Sequence, residues 1–207
     1  MARLRLEFHS FWHAGSGRGR GAQADALLVR TPAGLPYLPG RTLKGVVRDA
    51  MLMAEQAGQI APGRTDQLFG KRAEPSEEDM KKGLGRFQSR KGMLRFSDAR
   101  IGDNQEEQQK WELFATTVRG RKLAANLFKY LSSTALDDQG LARKRSLRTL
   151  EVCIPLVLWA DVDTVDGADP GQWREDLETS LPLVRALGAK RTRGLGRCRL
   201  QLLEDAP

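Results

Sequence analysis

The chain has 207 residues, 40% of them hydrophobic, and carries a formal net charge of +8 with a pI near 9.9. That is enough apolar material for a real core, and the excess of cations suits either a polyanionic partner or an ordinary basic soluble protein. No apolar run approaches the length a membrane-crossing helix needs, and MARLRLEFHS has no apolar heart of a secretion signal, so the expected location is cytoplasmic with no membrane partner.

RLRLEFH (3–9) alternates Leu4, Leu6 and Phe8 with charged residues, the period of a half-buried strand. AGSGRGRGAQA (14–24) reads as a flexible loop of glycine and arginine, and LLVRTPAGLPYLPG (27–40) as two extended arms around a Thr-Pro-Ala-Gly turn. RTLKGVVRDAMLMAEQ (41–56) is predicted helical, with Leu43, Val46, Val47, Ala50, Met51 and Ala54 on one face and Thr42 as N-cap. Residues 58–92 are irregular and charged, and GMLRFSDARI (92–101) is a second strand. Residues 105–131 read as largely helical and 136–148 as polar and basic.

LEVCIPLVLWADV (150–162) is the most apolar strand, with Pro155 marking an irregularity or an edge. DPGQWREDLETSLPLVRAL (169–187) starts on an Asp-Pro helix signal, shows an apolar face of Trp173, Leu177, Val184 and Leu187, and is kinked or divided at Pro182. RCRLQLL (197–203) is the last alternating strand. Cys153 and Cys198 lie in apolar runs, so buried thiols are expected rather than a disulfide, and neither has the spacing of a zinc site.

Without its insertions the order is strand, helix, strand, strand, helix, strand. This predicts an α+β fold with a ferredoxin-like (RRM-like) βαββαβ core in one domain, with insertions near 14–40, 58–92 and 102–149. Such a sheet leaves one face open for a ligand, often RNA. Aromatic residues are only 6%, and the base-stacking aromatics of ordinary RRM proteins are absent from both central strands, so binding should rest on phosphate and sugar.

Two segments have the chemistry to hold phosphate. GAKRTRGLGRCRL (188–200) joins the last helix to the last strand. Gly188, Gly194 and Gly196 can expose amide hydrogens, while Lys190, Arg191 and Arg193 add charge. A basic turn after a C-cap glycine accounts for the same residues. In GLPYLPGRTLKGVVRDAM (34–51), a rigid Pro-Leu-Pro-Gly approach leads into a helix whose first turns carry Arg41, Thr42, Lys44 and Arg48. A solvated helix face is the alternative there. Asp25 is the only acid between Glu7 and Asp49, in a loop of glycine and arginine, and an ordinary turn aspartate is its plain reading. His9 and His13 flank the end of the first strand and could serve as acid/base groups or as packing residues.

These segments together resemble the RAMP superfamily of CRISPR-associated proteins. Pro36 through Arg48 is similar to its Pro-x-x-Pro-Gly signature, and 188–200 to its glycine-rich loop. LFG (68–70) followed by LRFSDARI (94–101) is similar to the order in backbone subunits of type III effector complexes, and 133–152 to their protruding thumb hairpin. The resemblance implies a ferredoxin-like fold and, as partners, a CRISPR guide RNA, a complementary target RNA and other effector subunits. It implies RNA contacts at His13, Arg41, Thr42, Lys44, Arg48, Lys190, Arg191, Arg193, Gly194 and Gly196, and at the thumb residues Arg143 and Lys144. It also implies that Asp25 cuts the target RNA with Mg²⁺ or another divalent cation, for which one carboxylate suffices if RNA phosphates and waters complete the shell. Two alternatives stay open: metal-independent processing of precursor RNA through His9 or His13, and a scaffold subunit that does not cut.

Overall fold

The computed structural model describes residues 1–21, 24–71, 90–165 and 171–203. Its centre is a four-stranded antiparallel sheet of β1 (Ala2–Phe8), β4 (Leu94–Phe96), β7 (Val157–Thr164) and β8 (Cys198–Leu203), in the order β4-β7-β1-β8. Helix α1 (Gly40–Gln56) joins β1 to the β4 region, and α5 (Trp173–Ser180) joins β7 to β8. This is the expected ferredoxin-like arrangement, with each helix-linked pair of strands separated by one strand between them.

The alternation read from β1 is what builds the core. Leu4 faces Ala160 and Leu202 across the sheet, and Leu6 faces Leu158 and Leu200. Leu4 and Leu6 are fully buried, beneath the apolar stripes of α1 (Leu43, Val47, Ala50, Met51) and α5 (Trp173, Leu177). Each such side chain contributes roughly 1.5–3 kcal/mol. On the opposite face the charges satisfy one another. Arg5 donates to Glu7 at 2.7 Å and to Gln201 at 3.3 Å, and Arg3 lies 3.6 Å from Asp161. Arg3 and Arg5 on the open sheet face are therefore held in internal pairs.

The apolar run 150–162 is two strands, not one. Arg148–Cys153 (β6) pairs with Phe128–Ser133 (β5) in a separate hairpin, and the chain enters the core sheet only at Val157. Pro155 lies at the break, where its missing N–H costs neither sheet a bond. The helical reading of 105–131 is corrected in the same region. Helices α3 (Gln105–Thr116) and α4 (Val118–Asn126) end before Phe128, and FKYL is strand, held by pairs such as Tyr130 with Glu151. Propensity alone could not foresee a partner twenty residues away.

Two short strands, β2 (Gly70–Lys71) and β3 (Arg90–Lys91), and helix α2 (Arg64–Phe69) lie between α1 and β4. Pro182 ends α5 as expected, since the α-helix stops at Ser180 and a 3₁₀ turn follows over Leu181–Leu183. The Asp169–Pro170 start signal lies outside the described residues. Thr31–Gly34 forms the foreseen turn, with Gly34 N–H donating to Thr31 O at 2.9 Å and Arg30 bridging Pro36. Among the described residues, no helix is long and apolar enough to cross a membrane.

Candidate nucleic-acid interface

Beyond β1 the chain runs along the base of the β5–β6 hairpin. Trp12 bridges Cys153, Gly15 bridges Leu28, and Ala26 bridges Leu150 in parallel. These bonds fix the glycine-arginine segment and the 24–30 arm beside the start of α1, and a groove of about 840 Å³ opens between them. Arg18, Arg20, Arg30 and Arg41 line it together with Tyr37 and the carboxylates of Asp98 and Glu151. Arg18, Arg20 and Arg41 are exposed. The sequence reading named only Arg41 of these four. The signal for Arg18 and Arg20 was their alternation with glycine over 17–21.

The helix end itself is already occupied by an anion of the chain. The Gly40 amide donates to Asp98 Oδ1 at 2.9 Å, and the Thr42 and Leu43 amides both return to Pro39 O. The helix starts at Gly40 with Pro39 as its cap residue, so Thr42 lies inside the first turn rather than at the N-cap. Glycine is required at 40 by contact: a Cβ there would collide with the carbonyl oxygens of Phe96 and Ser97. The Pro-Gly pair thus seats the helix directly on the β4 backbone.

The cations of the same signature divide by position. Arg41 faces the groove. Lys44 donates to Leu94 O at 2.7 Å, and burial pushes its pKa down. Arg48 lies 3.7 Å from Asp66 of α2. Lys44 and Arg48 therefore tie α1 to its neighbours.

The glycine-rich loop also differs from the expected amide array. A Cβ on Gly188 would collide with His13 O, and one on Gly196 with Leu187 O, and both residues take positive φ (+92° and +72°). Ala189 N–H donates to His13 O at 2.9 Å and Gly196 N–H to Phe11 O at 2.7 Å. Gly188 thus lets the loop pack on His13, Gly196 lets it close against Leu187, and Gly194 alone of the three stands in open space. What the loop presents outward is side chains. Arg191 and Arg193 are exposed on a 3₁₀ turn, and Lys190 reaches Ser133 Oγ at 3.3 Å. Arg191 and Thr192 share a cleft of about 320 Å³ with Val46, Asp49 and Met53 of α1, so the loop lies beside α1 on a face other than the one bearing Lys44 and Arg48.

His13 is only 3% exposed, beneath this loop. Its Nδ1 lies 2.6 Å from Glu151 O, a group that can only accept, so Nδ1 carries the proton. Burial pushes its pKa below the usual histidine value, which leaves the ring neutral at pH 7. His9 is exposed.

Asp25 sits exposed at the hairpin base, outside the groove lining. Its Oδ2 accepts from the Thr149 N–H at 2.7 Å, and its own N–H donates to Thr149 O at 2.9 Å. Oδ1 is the oxygen left for a cation. Among the described residues no cluster of three or more His, Cys, Asp or Glu could hold a metal. A divalent ion at Asp25 would therefore draw its other ligands from RNA phosphates and water, a donor set that fits Mg²⁺. Arg143 and Lys144 are exposed near the far end of the hairpin, where Leu136 bridges Ala142.

No curated protein matches the chain in sequence. Among solved structures, a chain of the type III-B Cmr-beta complex bound to cognate target RNA superposes with a TM-score of 0.70 at 13% identity, covering 97% of this chain and 96% of that one. A chain of the same complex in its apo state gives 0.65 at 13% identity, covering 99% and 97%. At that identity the likeness speaks for the shared fold. The RAMP superfamily model matches residues 5–199, a span that holds the second half of β1, all of α1, the core strands β4 and β7, and the glycine-rich loop through Gly196. The chain belongs to the RAMP superfamily.

Proposed function

We propose that this chain is a guide-RNA-binding backbone subunit of a type III CRISPR effector complex, and that Asp25 cleaves complementary target RNA. The observation that carries the reading is the gathering of four arginines around one groove. Arg18, Arg20, Arg30 and Arg41 line this groove, while Arg191 lies beside α1 and Arg193 is exposed on the same turn. Superfamily membership and a fold shared with chains of an RNA-bound Cmr-beta complex support it. Guanidinium groups grip phosphate by paired hydrogen bonds without reading bases, as a guide of variable sequence requires.

In this reading the hairpin is a thumb. Arg143 and Lys144 hold the phosphates of guide and target on either side of it. Asp25, fixed at the thumb base by Thr149, presents Oδ1 to the displaced target nucleotide. A divalent ion bound there supplies charge stabilisation at the scissile phosphate. Partner effector subunits complete the assembly.

The test is purification with co-expressed CRISPR RNA and a cleavage assay on complementary RNA, with and without Mg²⁺, for wild type and Asp25→Ala. Guide retention with Mg²⁺-dependent cleavage that the variant lacks supports the proposal, and a wild type that retains no guide defeats it. A scaffold subunit without cleavage is the second reading, favoured by the engagement of Asp25 with Thr149. Unchanged cleavage by the assembled Asp25→Ala complex would select it. Processing through His13 finds no support in a buried, neutral ring whose Nδ1 is committed to Glu151 O.

A further inference from the structure

Glu151 is a buried acid that the proposed function leaves without a role. It is 1% exposed, in a strand where Leu150, Val152 and Cys153 are also buried. Burying a carboxylate costs several kcal/mol unless partners hold it. Here both oxygens are held: Oε2 accepts from Leu28 N–H at 3.0 Å, and Oε1 from Arg30 Nη2 at 2.6 Å. The Arg30 guanidinium carbon also lies 3.5 Å from the centroid of the Phe128 ring. The guanidinium is thus fixed along one edge by a carboxylate and on one face by an aromatic ring. Its side chain is nevertheless 37% exposed, and it lines the groove.

A guanidinium carries five N–H donors in one rigid plane, and one of Arg30's bonds Glu151. The remaining edges are oriented in advance, so little rotamer freedom is left to lose when an anion arrives. The main-chain bond from Glu151 N to Ala26 O ties the same strand to the arm carrying Arg30.

We infer that Glu151 is a positioning residue that sets Arg30 in the groove as a phosphate-binding guanidinium, making Arg30 a contact of the RNA backbone. This rests on the RNA-binding reading. It also predicts a sign that simple electrostatics reverses. Deleting a negative charge from a cationic groove should tighten RNA binding, whereas loss of a positioning group should weaken it.

The experiment measures the affinity of the full chain for a single-stranded RNA of mixed sequence at several salt concentrations, for wild type, Glu151→Gln and Arg30→Lys. Melting curves fix a temperature at which each variant is folded. Glu151→Gln is expected to bind roughly 3–10-fold more weakly despite its gain in net charge. Arg30→Lys, which keeps the charge but not the rigid fork, is expected to weaken similarly with a salt slope near that of wild type. Wild-type or tighter binding by Glu151→Gln, or wild-type binding by Arg30→Lys, overturns the inference and leaves the RNA reading standing. If Glu151→Gln does not fold, Arg30→Lys decides alone. A wild type that binds no RNA overturns both.

Discussion

Asp25 and Thr149, 124 positions apart, are joined by two hydrogen bonds, one from each residue's main-chain N–H. The acid nominated for cleavage is therefore part of the thumb's foundation. Asp25→Asn keeps an oxygen for the Thr149 amide, and Asp25→Ala does not. Hydrogen exchange over 128–153 should rise in Asp25→Ala and stay near wild type in Asp25→Asn, a difference of about 1 kcal/mol in local opening. Equal exchange in the two variants would show that the bond does not anchor the hairpin.

The glycines of the last loop should differ in cost. Gly188→Ala and Gly196→Ala place a Cβ against His13 O and Leu187 O at positive φ, and should each destabilise by about 2–4 kcal/mol. Gly194→Ala meets open space and should cost about 1 kcal/mol, from φ alone. Thermal melts of the three variants check the order, and an equal cost at all three positions would contradict the packing role.

Charge reversal at Arg191 and Arg193 should weaken binding to all RNA sequences alike and flatten its salt dependence, with melting unchanged because both side chains are exposed. Anisotropy titrations on RNAs of unrelated sequence measure this. A loss confined to one sequence would speak for base reading.

The buried His13 gives a pH signature. Its folded pKa is lowered, so the unfolded chain takes up the proton first. The stability contributed by the neutral ring is fully present above the unfolded value near 6.5 and is lost as pH falls below it. His13→Asn keeps an N–H donor without a titrating group. Between pH 7.5 and 5.5 its melting temperature should fall less than that of wild type, and parallel curves would remove His13 from the account.

The core was legible because its signals are local. Alternation in β1 and β8, the α1 stripe and the helix stop at Pro182 depend on neighbours a few residues away. The hairpin was visible by resemblance, but its first strand read as helix because only its pairing with Arg148–Cys153 makes it a strand. In the site, the positions of Arg41, Arg191 and Arg193 followed from their segments, while the partners of Lys44, Arg48 and the Gly40 amide come from β4, α2 and Asp98, which no spacing reveals. Glu151 could have been found: a lone acid inside LEVCIPLVLW must have a buried partner.

The account stands on the claim that the 15–20 segment, Arg41 and the last loop grip one sugar-phosphate strand whatever its bases. Photo-crosslinking of the guide-loaded protein, read by mass spectrometry with several guides of unrelated sequence, tests this most directly. The account predicts the same crosslinked peptides for every guide, covering 15–20, 41 and 190–194. Crosslinks concentrated on the open sheet face around Arg3 and Arg5, or shifting with guide sequence, would contradict it.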